Sequence, residues 1–230
     1  MEAIILAGGL GTRLSSVVSD VPKCMAPVAG EPFLAHILRN LENQMFDHVI
    51  LSLGYRHEVV IEWLRSRAFL FKVSWVIERE PLGTGGGIRR AMGKSREQEV
   101  FILNGDTMFA VDLRAMRQAS DTKYKALVAL RPMKNFDRYG AVQVGAGNEI
   151  IAFEEKRFQA EGVINGGVYL LNKKLEDLSS FPEKFSFEKD FLEAEVKKGM
   201  LKGYISDSYF IDIGIPEDYY KAQEDFSNKI

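Results

Sequence analysis

Short apolar runs alternate with amphipathic segments along the first half of the chain. Runs that are typical of strands buried on both faces of a sheet cover residues 3–7, 49–53, 71–77 and 100–103. Apolar residues recur at helical spacing at Phe33, Leu34, Ile37, Leu38 and Leu41, and weaker helical patterns cover residues 59–64 and 88–92. Strands that alternate with helices in this way predict a parallel sheet with helices on both faces.

The second half of the chain has a different pattern. Strand-like segments separated by short turns cover residues 126–130, 140–144, 150–153 and 163–171, and helical patterns follow at 190–198 and 216–226. We therefore predict one α/β domain over residues 1–230, with a Rossmann-like, mostly parallel twisted sheet and a more irregular, mixed second half. The first half, to about residue 110, is expected to bind a ligand at the carboxyl ends of its strands, and residues 111–230 add the other wall.

Charge and composition exclude several classes of protein. The 30 Lys and Arg residues against 32 Asp and Glu give a net charge of −2, which provides no basic field for binding nucleic acid. No apolar run approaches the roughly 18 residues of a membrane span, and the first residues lack the pattern of a signal peptide, so we expect a cytoplasmic protein with no membrane partner. The single cysteine, Cys24, excludes an internal disulfide and a cysteine zinc site.

A glycine-rich loop follows the first predicted strand, in the sequence LAGGLGTRL at residues 6–14. Glycines let backbone N–H groups approach an anion closely, and phosphate is the usual ligand of such loops. The dinucleotide-binding fingerprint does not fit, because Leu14 stands where its third glycine would be, and no Walker sequence occurs in the chain. A plain tight turn is the alternative, but it leaves the cation Arg13 unexplained.

A second cation, Lys23, lies in the segment VPKCMAPVAGEP at residues 21–32. The three prolines and the glycine of this segment indicate an extended, stiff chain. A lysine on such a chain can be directed at a phosphate with little loss of side-chain entropy. The loop and this segment together therefore predict a phosphate site with two cations, Arg13 and Lys23.

The two segments, GGxGTRL followed by PKxMxPVxGxP, resemble the signature of the sugar-1-phosphate nucleotidyltransferases, which make nucleoside-diphosphate sugars. Further motifs extend the resemblance over almost the whole chain: EPLGTGG at 80–86, NGD at 104–106, YG at 139–140, EEK at 154–156, NGG at 165–167 and DIGxPEDY at 212–219. The resemblance implies a nucleotidyltransferase or glycosyltransferase-A-like fold, with a nucleotide-binding first half and a sugar-binding second half. Ser15, Ser16, Cys24 and Arg157 depart from the residues most common in the family.

The resemblance also implies roles for individual residues. Nucleotide binding is implied for Leu6, Ala7, Gly8, Gly9, Gly11, Thr12, Arg13, Lys23, Leu82, Gly83, Thr84 and Asn104. Binding of the sugar phosphate is implied for Asp106, Tyr139, Gly140, Glu154, Lys156, Asn165, Gly166 and Glu188. Asp106 and Asp212 would jointly hold Mg²⁺, which prefers hard oxygen ligands. The catalytic residues would be Arg13, Lys23 and Asp106.

Several of these residues have plain structural alternatives. Asp106 alone could cap a helix, and the glycines of residues 83–87 could serve only the packing of a helix start. Glu188 could belong to a helix start that Ser186 caps. The base could be read by a backbone carbonyl around residues 80–83 or by the Glu78 side chain, and both options stay open at this point.

The implied reaction transfers a nucleoside monophosphate from a nucleoside triphosphate to a sugar 1-phosphate and releases pyrophosphate. The attacking phosphate has a second pKa of about 6 and needs no general base. Positive charges therefore have to offset the repulsion between the two substrates. The whole-chain pattern is most similar to the short bacterial members of the family that use GTP and a heptose 1-phosphate for surface glycans. Mannose 1-phosphate as acceptor, or transfer from UTP or dTTP to another sugar 1-phosphate, is the alternative.

Two further alternatives concern the class of protein and its assembly. A non-catalytic nucleotide-sugar sensor would keep the pocket but lose the metal-binding carboxylates, and both aspartates are present here. The late apolar residues Tyr204, Tyr209 and Phe210 fit either the core of one chain or the interface of a homodimer. We expect an enzyme whose partners are a nucleoside triphosphate and a sugar 1-phosphate.

Overall fold

A nine-stranded mixed sheet forms the centre of the protein in the computed structural model, which describes residues 1–9, 14, 17–18 and 21–227. In chain order the strands are β1 (Glu2–Ala7), β2 (Pro27–Val28), β3 (Glu31–Pro32), β4 (His48–Leu53), β5 (Lys72–Ile77), β6 (Glu99–Asn104), β7 (Thr107–Phe109), β8 (Ala126–Phe136), β9 (Gly140–Val144), β10 (Ile150–Lys156), β11 (Gln159–Asn172), β12 (Leu201–Ile205) and β13 (Phe210–Asp212). The helices are α1 (Phe33–Asn43), α2 (His57–Arg65), α3 (Gly83–Met92), α4 (Leu113–Gln118), α5 (Glu193–Val196) and α6 (Pro216–Ser227). The chain also forms a 3-10 turn, Lys23–Met25, and a π-helical turn, Phe187–Leu192.

The parallel core of the sheet is the part that the sequence predicts most closely. β1 lies between β6 and β4, β5 follows β4 at the edge, and all three pairings are parallel. Each of these four strands agrees with a predicted run to within about one residue at either end. The runs are apolar because the core is covered on both faces, and Ala3, Ile4 and Ile5 are all 0% exposed. The predicted fold class is confirmed.

Helices cover both faces of this core, as predicted. On one face, residues of α1, α2, α4 and α6 pack with alternate strand residues such as Ala3 and Ile5. On the other face, residues of α3 and the π-helical turn pack with Ile4 and its neighbours. Successive side chains point to opposite faces of a strand, so one buried strand contributes to both layers of the core. No helix in the described part of the chain is long and apolar enough to cross a bilayer.

The second half of the chain extends the sheet with antiparallel strands. β11 pairs with β6 along one edge and with β8 along the other, and β12 extends the sheet beyond β8. β9 pairs with β11 at Ile164, on the edge opposite β8, and β10 pairs with β9. The strands predicted at 126–130 and 163–171 are correct in type but too short, because β8 runs to Phe136 and β11 begins at Gln159. The helix predicted at 190–198 begins earlier, as the π-helical turn that precedes α5.

Several short elements were not predicted, namely β2, β3, β7, β12, β13 and α4. β7 and β13 have three residues each and pair with one another outside the main sheet. α4 begins after Asp112, whose carboxylate accepts a hydrogen bond from the Ala115 N–H at 2.9 Å. Three late apolar residues are half-buried and pack against the core of the chain, which was one of the two positions expected for them: Tyr204, Tyr209 and Phe210. The other, the interface of a homodimer, stays a prediction.

A buried carboxylate, Glu2, holds the amino ends of the parallel strands together. Its side chain accepts hydrogen bonds from the N–H groups of Arg96 at 2.7 Å and Glu97 at 3.1 Å, and it lies 3.2 Å from His48 Nδ1. Burial by itself raises the pKa of Glu2, but hydrogen bonds from Ser95, Glu97 and His48 outweigh it and lower the pKa to about 2. The charged form of Glu2 therefore stabilises the fold at the edge of the sheet away from the carboxyl ends.

Replacing this carboxylate should lower stability in a pH-dependent way. The folded-state pKa of Glu2 lies below its ordinary value of 4.5, so its contribution is present above pH 4.5 and is lost as the pH falls towards 2. We expect Glu2→Gln to lower the free energy of unfolding by about 3 kcal/mol at pH 7, and by much less at pH 3. Urea denaturation at the two pH values measures the difference, with the exposed Glu62→Gln as control. Equal losses at both pH values would contradict this account of Glu2.

Candidate active site

A cavity of about 380 Å³ opens at the carboxyl ends of β1 and β6. This edge is where parallel α/β sheets bind their ligands. The cavity is lined by Leu6, Ala7, Gly8, Gly9, Lys23, Cys24, Glu78, Pro81, Gly83, Thr84, Asn104, Gly105, Asp106 and Glu188. Eight of the residues predicted to bind the nucleotide are in this lining: Leu6, Ala7, Gly8, Gly9, Lys23, Gly83, Thr84 and Asn104. The predicted residues Gly11, Thr12 and Arg13 lie outside the described part of the chain.

Three charged side chains from separate parts of the chain meet at the cavity. The ammonium of Lys23 forms an ion pair with the Asp106 carboxylate and lies 3.7 Å from Asp212 Oδ1. The Lys23 side chain is only 11% exposed, so this ion pair is poorly screened by water. We call these three residues the charge cluster. Both aspartates that the sequence singled out are therefore side by side, with one of the two predicted cations between them.

The pairing of β7 with β13 brings the two aspartates together. Asp106 directly precedes β7, Asp212 ends β13, and Thr107 is the register partner of Asp212. The Ile213 N–H donates to the Asp106 carbonyl at 3.0 Å, and the Gly214 N–H donates to Asp212 Oδ1 at 2.8 Å. A Cβ atom at position 214 would lie 3.1 Å from Lys23 Nζ, so the glycine leaves room for the charge cluster.

Glu78 supplies a third carboxylate at the other end of the cavity, just after β5. Its Oε1 accepts a hydrogen bond from the Ser52 hydroxyl at 2.8 Å, and its Oε2 accepts one from the Leu82 N–H at 3.1 Å. A Cβ atom on Gly8 would lie 2.9 Å from Oε1, so the first glycine loop gives this carboxylate space. Glu78 is thus held in one orientation at the cavity wall, and within the described part of the chain each of its oxygens accepts one of these hydrogen bonds and can accept another.

The second glycine segment is close to another part of the chain, residues 183–187. A Cβ atom on Gly85 would lie 2.2 Å from the Phe185 ring, and one on Gly83, where φ is +72°, would lie 2.4 Å from the Phe185 carbonyl oxygen. At Gly86 a Cβ atom would lie 2.5 Å from the Glu183 carbonyl oxygen. Packing against residues 183–187 therefore accounts for these glycines, which agrees with the structural alternative that they serve the packing of a helix start. Gly83 also lines the cavity, while Leu82 is buried and accepts the Phe185 N–H at 3.0 Å.

The residues predicted to bind the sugar phosphate divide into two groups. Asp106 and Glu188 line the cavity, and the others lie outside its lining: Tyr139, Gly140, Glu154, Lys156, Asn165 and Gly166. The Tyr139 ring packs edge-on against Phe210 of β13, the strand that Asp212 ends, with the ring centroids 5.9 Å apart. Burial raises the pKa of Tyr139, and the charge of Asp212 raises it further. Gly140 and Lys156 are register partners in β9 and β10. Glu154 accepts a hydrogen bond from Arg157 at 2.7 Å.

The amide of Asn165 is held in place by the protein. Its Nδ2 donates to the Tyr169 hydroxyl at 3.0 Å, and its Oδ1 accepts the Gly167 N–H at 2.9 Å. Tyr169 is buried, and burial raises its pKa, with the charge of Glu188 contributing next. Gly166 lies against the Phe109 ring, which a Cβ atom would approach to 2.2 Å. Asn165 is therefore fixed on β11, next to a glycine that packs against β7, the strand that Asp106 directly precedes.

The sequence analysis assigned no role in the site to Arg138, Asp218 or Cys24. Arg138 donates to both carboxylate oxygens of Asp218, at 2.8 and 3.1 Å, and so ties the turn before Tyr139 to the first turn of α6. The only signal for this pair was that Asp218 belongs to the last motif. Cys24 lines the cavity, but burial raises the pKa of its thiol to about 12, and the charge of Asp106 contributes. Cys24 is therefore a neutral thiol at physiological pH.

The chain belongs to the nucleotidyl transferase family, whose sequence model matches residues 2–229. It is 51% identical over 231 residues to the D-glycero-α-D-manno-heptose 1-phosphate guanylyltransferase of Aneurinibacillus thermoaerophilus, and the alignment covers 100% of both chains. It is 46% identical to the protein of the same name from Campylobacter jejuni, over 96% of this chain and 97% of that one. The predicted family and the prediction of an enzyme are confirmed.

Solved structures agree with this membership. HddC from Yersinia pseudotuberculosis, complexed with GMP-PN, superposes with a TM-score of 0.87 at 39% identity and covers 98% of this chain and 99% of that chain. The inositol-1-phosphate CTP transferase from T. maritima superposes with a TM-score of 0.82 at 20% identity, which is a likeness of fold.

A methyl group at Gly85 should disturb the packing of residues 183–187. Because the added Cβ would lie 2.2 Å from the Phe185 ring, we expect Gly85→Ala to lower the free energy of unfolding by about 1–3 kcal/mol. Gly9→Ala is the matched control, since no atom lies within 4 Å of a Cβ at that position, and it should change the value by less than about 0.5 kcal/mol. Denaturant unfolding measures both. A Gly85→Ala protein as stable as the control would contradict the packing role of this glycine.

Proposed function

We propose that this protein transfers GMP from GTP to a heptose 1-phosphate, forming GDP-heptose and pyrophosphate. The observation that carries the proposal is the charge cluster of Lys23, Asp106 and Asp212 at the carboxyl edge of the sheet. The full-length identity of 51% to a heptose 1-phosphate guanylyltransferase supports this choice of substrates. The product would be made in the cytoplasm and would supply a surface polysaccharide or glycoprotein glycan.

Guanine is the base that best complements Glu78. Guanine carries two neighbouring donors, N1–H and the N2 amino group, whereas uracil and thymine carry only one ring N–H and adenine presents an acceptor at N1. A carboxylate accepts two parallel hydrogen bonds, and it is acceptor-only when ionised. Hydrogen bonds from Ser52 and the Leu82 N–H hold the Glu78 carboxylate in place at the cavity wall. Glu78 therefore reads the base by its side chain in this proposal.

The reaction needs charge neutralisation rather than proton transfer. The heptose 1-phosphate is mostly a dianion at neutral pH, since its second pKa is about 6, and it attacks the α-phosphorus of a polyanion. Lys23 lies in the cavity and offsets negative charge near the α-phosphate. Arg13 and the amides of the glycine loop bind the β- and γ-phosphates, and Lys156 holds the incoming sugar phosphate. Positioning and charge of this kind are the main sources of rate in phosphoryl transfer.

The two aspartates of the charge cluster fit a Mg²⁺ ion. Both face the same ammonium group, so their oxygens already converge on one cationic centre. Mg²⁺ prefers carboxylate oxygens and fills its remaining positions with water and substrate phosphates, so two carboxylates suffice. When bound, the ion neutralises phosphate charge and orients phosphate oxygens. Asp106 and Asp212 would hold the ion, and Lys23 would offset charge on the substrate phosphates.

The direct test is to mix the protein and Mg²⁺ with each nucleoside triphosphate and a panel of sugar 1-phosphates, and to measure pyrophosphate release. The panel contains heptose, mannose, glucose and N-acetylmuramic acid phosphates. We expect release with GTP and heptose 1-phosphate, at least about tenfold faster than with any other pair. Faster release with another base or sugar would overturn the substrate assignment. Nucleotide binding without release from any pair would favour a non-catalytic sensor.

A change at Glu78 should alter the choice of base. Glu78→Gln replaces one acceptor by an amide donor, so we expect kcat/KM for GTP to fall by about 10- to 100-fold. The kcat/KM for UTP should fall less, which narrows the ratio between the two nucleotides. The exposed Glu62→Gln is the matched control and should change neither value. An unchanged GTP-to-UTP ratio in Glu78→Gln would leave base reading to the backbone of residues 80–83.

A further inference from the structure

The hydroxyl of Thr84 connects the start of α3 with the π-helical turn. Its Oγ1 donates to Glu188 Oε2 at 2.6 Å and accepts the Phe187 N–H at 2.9 Å. A threonine hydroxyl has one proton, and Glu188 takes it. Although Thr84 lines the cavity where the nucleotide is expected, its donor is therefore directed at a protein carboxylate.

The Glu188 carboxylate is held on one side. Within the described part of the chain both of its hydrogen bonds fall on Oε2, from Thr84 at 2.6 Å and from the Ser186 hydroxyl at 3.1 Å. Glu188 lines the cavity together with Asp106, the carboxylate next to which a sugar phosphate is expected. A carboxylate that lines the cavity and is held through one oxygen has its second oxygen left to accept a hydrogen bond from a hydroxyl group of a sugar.

The two segments that carry Thr84 and Glu188 also share backbone contacts. The Phe185 N–H donates to the Leu82 carbonyl at 3.0 Å, and the Gly85 N–H donates to the Phe185 carbonyl at 3.0 Å. The Phe181 and Phe185 rings stack at 4.7 Å between centroids. The segment that borders the base pocket and the segment that carries Glu188 therefore form one packed unit, and Thr84 is the side-chain link between them.

We propose that Thr84 is a positioning residue for the sugar subsite: it fixes the Glu188 carboxylate so that its second oxygen accepts a sugar hydroxyl. The proposal rests on the proposed function, because it takes the ligand beside Glu188 to be the sugar 1-phosphate. Its consequence is that loss of the Thr84 hydroxyl weakens binding of the sugar 1-phosphate, although Thr84 lies in the glycine segment next to the base. Ser186, which donates to the same oxygen, supports the same orientation.

The test compares Thr84→Val with Thr84→Ser in steady-state kinetics. We expect Thr84→Val to raise KM for the sugar 1-phosphate about tenfold while KM for GTP changes by less than about twofold. Thr84→Ser keeps the hydroxyl and should restore most of the wild-type KM. Ser120→Ala is a matched control, because it removes another hydroxyl that donates to a glutamate, Glu99, away from the cavity. A higher KM for GTP with an unchanged KM for the sugar 1-phosphate would overturn the proposal.

A double-mutant cycle shows whether Thr84 acts through Glu188. In the Glu188→Gln background, Thr84→Val should raise the KM of the sugar 1-phosphate by less than about twofold, since the carboxylate that it positions is gone. The full tenfold effect in that background would contradict the proposal. Thermal unfolding checks that each variant is folded. If Thr84→Val does not fold, Thr84→Ala replaces it as the variant that lacks the hydroxyl.

Failure of this proposal is distinguishable from failure of the proposed function. A wrong substrate assignment appears in the wild-type protein, and the comparison is then made with the pair that it does turn over. If it turns over none, the same ratios are measured as Kd values for the nucleotide and the sugar 1-phosphate by calorimetry. In either case the Thr84 proposal is tested by the ratio of the variant's KM or Kd for the sugar 1-phosphate to that of the wild type.

Discussion

Two carboxylates, Asp106 and Asp212, face one ammonium group at the carboxyl edge of the sheet. Like charges repel strongly in a partly buried place, and the Lys23 ammonium between the two carboxylates offsets that repulsion. The stiff, proline-rich segment before α1 holds Lys23, and the β7–β13 pairing holds the aspartates. The charge cluster therefore depends on both the proline-rich segment and the β7–β13 pairing.

The sheet topology builds the rest of the site around this cluster. β1 and β6 end together because they are parallel neighbours, and their ends bring the glycine loop and Asn104 to the same edge. β11 runs antiparallel to β6 and carries Asn165 and Gly166, the second of which packs against Phe109 of β7. Residues 183–187 return over the start of α3, which joins the base side of the cavity to Glu188. A nucleotide and a second phosphorylated ligand can therefore meet at the charge cluster from two sides.

The sequence predicts the parts of this arrangement that depend on a local pattern. β1, β4, β5 and β6 are continuous apolar runs because both of their faces are covered, and α1 has a clear amphipathic spacing. β7 and β13 could not be found in this way, since three residues carry no usable period and the two strands exist through their pairing.

The candidate site shows the same division. The motifs identified Lys23, Asp106 and Asp212, but the meaning of Gly85 and Gly86 depends on residues 183–187, which are about 100 positions away in the chain. Contacts between residues so far apart produce no regular spacing along the chain, so the sequence alone does not reveal them.

The most direct test of the role of Lys23 is the rate of pyrophosphate release by Lys23→Met at saturating substrates, with the exposed Lys94→Met as control. We expect kcat to fall by about 100-fold or more for Lys23→Met and to stay unchanged for Lys94→Met. A kcat of Lys23→Met within about threefold of wild type, in a folded protein, would contradict this role.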